Sequence, residues 1–302
     1  MANLLLIRKK IKSVRNTRKI TKAMQLVAAS KMRVFQKKAI HARMYSQELL
    51  NILRLNLADI KDTILTKTRK NGKKLFILYS SDKGLCGPLN SRMIKGLFNS
   101  KVWNELSVHE RLLITVGKKS YDYANYNKIN VEKHFKGLKE DMTPVDALAI
   151  IDEIMAYWKT EDVKEIIMVA PHYKSPLVFY PMLKTYLPFS EDMIHRHIAA
   201  EEIAEGKTDE DRTFRKEEFM LYEPSKEEFK ESLIQQIIQT LFTQAFFELK
   251  AAEYSSRMIA MQSATDAADD MVDKLTLSLN KARQAIITQE IAEIVGGSAA
   301  LN

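Results

Sequence analysis

The sequence predicts a long antiparallel coiled coil, built from helices at the two ends of the chain, with an α/β domain inserted between them. Three observations carry this: the placement of glycine and proline, the spacing of apolar residues near both termini, and the alternation of strand-like and helix-like runs in the middle. All seven prolines lie between Pro88 and Pro224, and the first glycine is Gly72. From Ser225 to Val295 neither residue occurs. Both disfavour helix interiors, so two breaker-free ends flanking a breaker-rich middle read as two long helices around a compact domain.

The N-terminal helix is expected over residues 1–62. Ile7, Ile11, Val14, Thr17, Thr21, Met24, Ala28, Met32 and Phe35 step by three or four, which draws one narrow seam along a helix. The mean step is close to 3.5, so a mild left-handed supercoil follows. Thr17, Thr21 and the small Ala28 and Ala29 make the seam weakly adhesive. Rising ~1.5 Å per residue, such a helix is roughly 90 Å long, too long for the interior of a domain of this size.

Residues 73–222 form the inserted domain. Leu75 to Tyr79 is a short apolar run that ends in the turn residues Ser80 to Gly87, and a helical stretch starts at Asn90. Leu112 to Val116 and Val163 to Ala170 repeat the strand character, with helical periodicity from Val145 to Trp158 between them. That alternation predicts a largely parallel sheet. The runs Leu177 to Leu183 and Glu218 to Tyr222 add candidate strands, and the acidic stretch 199–212 reads as a solvated loop.

The C-terminal helix is expected over 225–296. Ser225 with Glu228 three residues on makes a capping box, with Pro224 just outside. Gly296-Gly297 predicts a left-handed stop. The helix is roughly 105 Å long at ~1.5 Å per residue. Its seam is Ala268, Met271, Leu275, Leu279, Ala282 and Ile286. One inserted domain returns the chain, so the two helices pair antiparallel.

Composition narrows the function. Hydrophobic residues make up 46% of the chain, enough for a packed core. Cys86 is the one cysteine, so neither an intrachain disulfide nor a cysteine cage for a metal can form. No run of eighteen apolar residues is present, and no membrane span is expected. Charge is uneven: Met1 to Gln47 holds thirteen Lys or Arg and no acid, while the rest is net acidic. The arginine-rich start has the composition of a targeting peptide, but Leu4 to Ile7 is too short for a secretory core. The helical pattern also runs past Phe35 without a change of character. Such a basic arm calls for an anionic partner: nucleic acid, a lipid surface or an acidic protein face. Only Phe35 and Tyr45 interleave it, which disfavours stacking on single-stranded nucleic acid.

Candidate chemistry is sparse. Gly84-Leu85-Cys86-Gly87 follows a strand and precedes a helix, where a phosphate loop would sit. It fits neither glycine-rich phosphate motif, and Pro88 removes an amide donor, so a structural turn is expected and no cofactor. His195 and His197 form an H-x-H pair without a third ligand and read as two surface histidines. Cys86 reads as a packed, inert thiol. No nucleophile elbow appears, and no catalytic residue is assigned.

Three stretches resemble the gamma subunits of F-type ATP synthases of the bacterial type. They are Ile7 to Phe35 (IRKKIKSVRNTRKITKAMQLVAASKMRVF), Ser81 to Asn90 (SDKGLCGPLN), and Arg257 to Leu301, which holds RMIAMQSATDAADDM and NKARQAIITQEIAEIVGGSAAL. A shorter match, EPS, falls at Glu223 to Ser225. The sequence departs from the family at Tyr254, where histidine is common, at Ser298, where alanine is usual, and in the acidic 199–212 insertion. The paired-cysteine insertion of chloroplast relatives is absent.

The resemblance implies a non-catalytic subunit: a two-helix shaft with a Rossmann-like α/β foot that binds no nucleotide. It implies that the shaft turns inside a hexamer of alpha and beta subunits, with acidic loops of the beta subunits facing the basic arm. The foot would dock with the epsilon subunit on the membrane c-ring, at the cytoplasmic face of the bacterial inner membrane. Proton flow would thereby be coupled to ATP synthesis or hydrolysis. By the same resemblance Met24, in ITKAM, Arg257, and Arg283, Gln284, Thr288 and Glu290, in RQAIITQE, are expected to be rotor contacts. The alternative is a basic coiled-coil nucleic-acid-binding protein.

Overall fold

The computed structural model describes residues 2–56, 65–160, 162–190, 192–194, 196–197, 222–223 and 225–300. Helix α1 (Ala2–Leu55) opens the chain and α6 (Lys226–Ala300) closes it. Between them lie β1 (Lys73–Tyr79), α2 (Leu89–Phe98), α3 (Lys101–Asn104), β2 (Arg111–Val116), α4 (Lys118–Tyr126), β3 (Lys133–Phe135), α5 (Pro144–Lys159), β4 (Val163–Tyr173) and β5 (Phe179–Leu187). The chain divides into two compact units, one made of the stretches up to Ala29 and from Arg257, the other of Ser30–Ser256. The acidic stretch 199–212, His195, Pro224 and residues 218–221 of the candidate strand Glu218 to Tyr222 lie outside the described residues, and Tyr222 itself is not in a strand.

The first unit is a pair of antiparallel helix segments. Thr21 and Thr265 share a hydrogen bond of 2.8 Å between their buried hydroxyls, and Arg18 pairs with Asp269. Moving back along α1 therefore moves forward along α6. Ile11, Ala28, Met261 and Ala268 are buried, and Ile7, Val14, Met24, Leu275, Leu279, Ala282 and Ile286 are half-buried. Two seam positions differ from expectation. Thr17 is exposed, its hydroxyl donating back to the Ser13 carbonyl at 3.2 Å, and Met271 is 48% exposed while Val272 is half-buried. Only one of two adjacent residues can face a partner within a turn, and Val272 takes that place from Met271. The predicted stop at Gly296-Gly297 also differs, since α6 continues helically to Ala300. Glycine permits a left-handed stop without requiring one.

The second unit carries one five-stranded sheet in the order β3-β2-β1-β4-β5. The first four strands are parallel and β5 is antiparallel to β4. β1 is buried from Leu75 to Tyr79 without alternation, as a strand covered on both faces must be. On one face Phe76 meets Trp103 edge-on at 5.0 Å. On the other Tyr79 meets Phe242 of α6 at 5.8 Å, and the Tyr186 hydroxyl donates to the Ile238 carbonyl at 2.6 Å. The first half of α6 thus roofs the sheet. Its start is capped as expected, Ser225 Oγ accepting from the Glu228 N–H at 3.2 Å.

Candidate rotor and strand-end sites

All six residues expected as rotor contacts fall in the first unit. Met24 is half-buried in the α1 seam, and Arg257 is 8% exposed. Arg283, Gln284, Thr288 and Glu290 are exposed on α6. Gln284 and Thr288 lie one turn apart, and the Thr288 hydroxyl donates to the Gln284 carbonyl at 3.0 Å. Arg283 and Glu290 are seven residues apart and so share a face. Four polar side chains on two adjacent faces can take hydrogen bonds and charge contacts from outside the helix. Beyond them, Ile287, Ile291, Ile294 and Val295 are exposed, Ile294 at 72%. Leu5, Leu6, Ile20, Leu26 and Val27 are exposed on α1, interspersed with exposed Arg8, Lys9, Lys10, Lys12, Arg15, Lys19 and Lys22.

The second locus is the crevice at the carboxyl ends of β1 and β4, where open α/β sheets bind ligands because the connections diverge there. In this chain its polar groups are spent internally. Asp82 caps the first turn of α4, accepting from the Lys118 N–H at 2.9 Å and from the Gly137 N–H at 3.2 Å. A carboxylate of the protein itself thus occupies the end of α4 where a phosphate would be attracted. Asn90 accepts from the Ser81 N–H at 3.0 Å and donates to Ser81 Oγ at 2.8 Å. Cys86 is buried, with Asn90 Nδ2 3.2 Å from its sulfur, and its carbonyl accepts from Ser256 of α6 at 2.5 Å. The loop is a turn clasped by α6. Gly117, at φ +94°, packs against Ser80: a Cβ there would stand 2.0 Å from the Ser80 carbonyl oxygen.

A third cluster ties α1 and α6 to the loop before α5. Glu140 accepts from Lys31 and from the Tyr254 hydroxyl, while Tyr254 stacks on Phe35 at 5.5 Å. Burial pushes the Glu140 carboxyl up, but the Lys31 ammonium and Tyr254 hydroxyl outweigh it and hold the group below the usual carboxylate range. This cluster left no sign in the sequence beyond the unusual Tyr254.

His197, expected at the surface, is buried, its Nε2 2.6 Å from the Thr185 carbonyl oxygen. Thr185 belongs to β5, so the ring lies against the sheet with its nitrogen on a backbone carbonyl. Among the described residues no group of three or more His, Cys, Asp or Glu is placed to hold a metal ion, and no helix is long and apolar enough to cross a membrane.

Paired terminal helices with an inserted doubly covered sheet define a class of helical-stalk proteins. A family model described as ATP synthase matches residues 3–301. A chain from Heliobacterium modesticaldum named ATP synthase gamma chain is 35% identical over 299 residues, covering 98% of each sequence. One of the same name from Pelotomaculum thermopropionicum is 36% identical over 298 residues, again with 98% of each covered. The chain belongs to the ATP synthase gamma chain family. Its fold is shared with chains in two cryo-EM structures of Euglena gracilis mitochondrial ATP synthase. One, of the rotor, has TM-score 0.63 at 18% identity and covers 95% of this chain and 99% of that one. The other, of an OSCP/F1/c-ring assembly, has TM-score 0.65 at 17% identity and covers 99% and 95%.

Proposed function

We propose that this chain is the central rotating shaft of an F-type ATP synthase, coupling proton flow through a membrane ring to ATP synthesis or hydrolysis in an alpha/beta hexamer. It performs no chemistry itself. The observation that carries this reading is the exposed apolar surface of the terminal helices. Ile287, Ile291, Ile294 and Val295 on α6, and Leu5, Leu6, Leu26 and Val27 on α1, are aliphatic side chains left in water on a two-helix element. A surface of that extent calls for a covering partner. A hexamer bore supplies an enclosing sleeve, and the acidic loops of beta subunits would neutralise the basic face of α1.

In this reading residues 1–62 and 225–296 are the shaft and 73–222 the foot, which meets the epsilon subunit and the c-ring. The complex sits as a peripheral assembly on the cytoplasmic face of the bacterial inner membrane. Mechanism follows from asymmetry. A two-helix shaft cannot present one surface to three equivalent beta subunits, so each feels a different face. A contact biases a catalytic site only if it differs between the open and closed forms of that site. Turning the shaft permutes the three environments. Met24, Arg257, Arg283, Gln284, Thr288 and Glu290 are proposed to make those angle-dependent contacts.

The test is co-purification. A tagged full-length chain expressed in its native cell should retrieve stoichiometric alpha and beta subunits with ATPase activity that resists moderate salt. Binding to duplex DNA with a steep salt dependence, and no ATPase subunits, would favour a nucleic-acid-binding role for the basic helix instead.

A further inference from the structure

The longest strand outruns one neighbour. β1 pairs with β4 as far as Val169, whereas β5 keeps pace on the other side to Tyr173. The Tyr173 backbone thus lies beyond the β1 ladder, and two charged side chains from two different helices take its N–H and carbonyl. Arg43 of α1 donates through Nη2 to the Tyr173 carbonyl at 2.7 Å, and Glu248 Oε2 of α6 accepts from the Tyr173 N–H at 2.9 Å. The two also pair with each other, Arg43 Nη2 lying 3.1 Å and Nε 3.3 Å from Glu248 Oε1. Gln244 Nε2 donates to the same oxygen at 3.0 Å, Ser46 donates to Gln244 Oε1 at 2.6 Å, and His172 Nδ1 is 3.7 Å from Glu248 Oε2. The Arg43 and Glu248 side chains are 9% and 4% exposed.

A buried ion pair is poor evidence of stability, because desolvating both charges offsets their attraction and a well-packed apolar pair often serves as well. What it supplies and apolar packing does not is direction. Hydrophobic contact is non-directional, so buried Leu49, Leu50 and Leu53 of α1 and Leu241 and Leu249 of α6 resist separation more than sliding. A guanidinium bridging a carboxylate and a carbonyl holds its geometry in a plane. Here one sheet residue is held from both of its backbone polar atoms, by one charge from each helix. Rotation of either helix about its axis, or slippage along it, breaks a charge-assisted hydrogen bond in a dry site.

We propose that Arg43, Glu248 and the Tyr173 backbone form a torsional joint through which turning force passes between the sheet and the segments of α1 and α6 that pack on it, Arg43 and Glu248 acting as positioning residues. This rests on the rotor reading above. Arg43→Lys keeps the buried charge but cannot serve both acceptors in one plane, and the double variant Arg43→Met/Glu248→Met removes the charges with apolar side chains of comparable length. Each full-length variant would be assembled into the complete complex with the hexamer fixed to a surface and a bead attached at Tyr126→Cys, which is exposed on α4.

Torsional stiffness is read from angular fluctuations within one catalytic dwell, beside unloaded ATPase rate and thermal unfolding temperature. Both variants should turn over ATP without load as the unsubstituted complex does, yet show a loss of stiffness and stall at a lower opposing load. The double variant also unfolds at a lower temperature, because it leaves the Tyr173 N–H and carbonyl buried without these partners. A purely structural pair would move the unfolding temperature and leave stiffness unchanged. Wild-type stiffness in Arg43→Lys overturns the joint, and that variant decides the matter if the double variant does not assemble. Failure of the unsubstituted chain to assemble and rotate overturns the rotor reading, and the joint with it.

Discussion

Tyr254 joins α1, α6 and the loop before α5 through one ring and one hydroxyl. Replacing it with phenylalanine keeps the stack on Phe35 and removes a donor to Glu140. The Glu140 carboxyl should then titrate higher, toward its ordinary range, in a carbon-detected NMR titration; an unchanged midpoint would mean that Lys31 alone sets it. The sign for stability follows. A depressed carboxyl stabilises the fold at pH above its unfolded value and loses that contribution as pH falls through the folded one. The pair is partly exposed, so the loss is small, at most about 1 kcal/mol. Gly117→Ala should be far more damaging. A left-handed φ and a Cβ 2.0 Å from the Ser80 carbonyl oxygen leave no accommodating movement, and a loss of about 3 kcal/mol or more is expected in denaturant unfolding. At the rotor surface, Arg283→Ala/Gln284→Ala should lower ATP hydrolysis and proton pumping while subunit content stays intact. Each contact involving a charged group is worth about 1.5–3 kcal/mol at most, whereas assembly draws on the whole shaft. Unchanged rates in an assembled complex would make these two side chains bystanders.

At the scale of elements, what could be read beforehand is what periodicity and punctuation encode. Both long helices, β1, β2, β4, β5, α2 and α5 were legible as apolar runs bounded by glycine, proline or capping residues. Three elements were not, the four-residue α3 being a single turn too short to show a period. α4 is built from KKSYDYANY, whose aromatic and polar residues lack an aliphatic stripe, and β3 is a three-residue edge strand below the length at which alternation is visible. The seam was legible as a period but not residue by residue, because the choice of Val272 over Met271 is decided by the partner helix. The candidate rotor contacts rest on motif resemblance alone. The Arg43–Glu248 and Glu140–Tyr254 clusters were not legible, since their members lie 205 and 114 residues apart. Ala28 tests the seam directly. It is 1% exposed, and leucine there adds bulk to a filled position. Ala28→Leu should destabilise the helix pair by about 1–3 kcal/mol, seen as loss of hydrogen-exchange protection around Thr21 and Thr265. Unaltered protection there would mean that the seam has slack.

For the whole molecule, the division of labour is between surface that packs at home and surface that waits for a partner. The sheet is covered on both faces and its strand-end crevice is closed by Asp82, Asn90 and Ser256, so the α/β domain has little left to bind a nucleotide with. The ends of α1 and α6, by contrast, expose aliphatic and basic side chains along their length. The central claim is that this chain turns. The most direct measurement fixes an alpha/beta hexamer assembled with the full-length chain to a surface, attaches a bead to the α/β domain at Tyr126→Cys, and adds ATP. Stepwise rotation in one direction is expected, with three dwells per turn for three beta subunits, stopping when ATP is withdrawn. A stoichiometric, ATP-hydrolysing complex in which the bead shows only undirected thermal motion would contradict it.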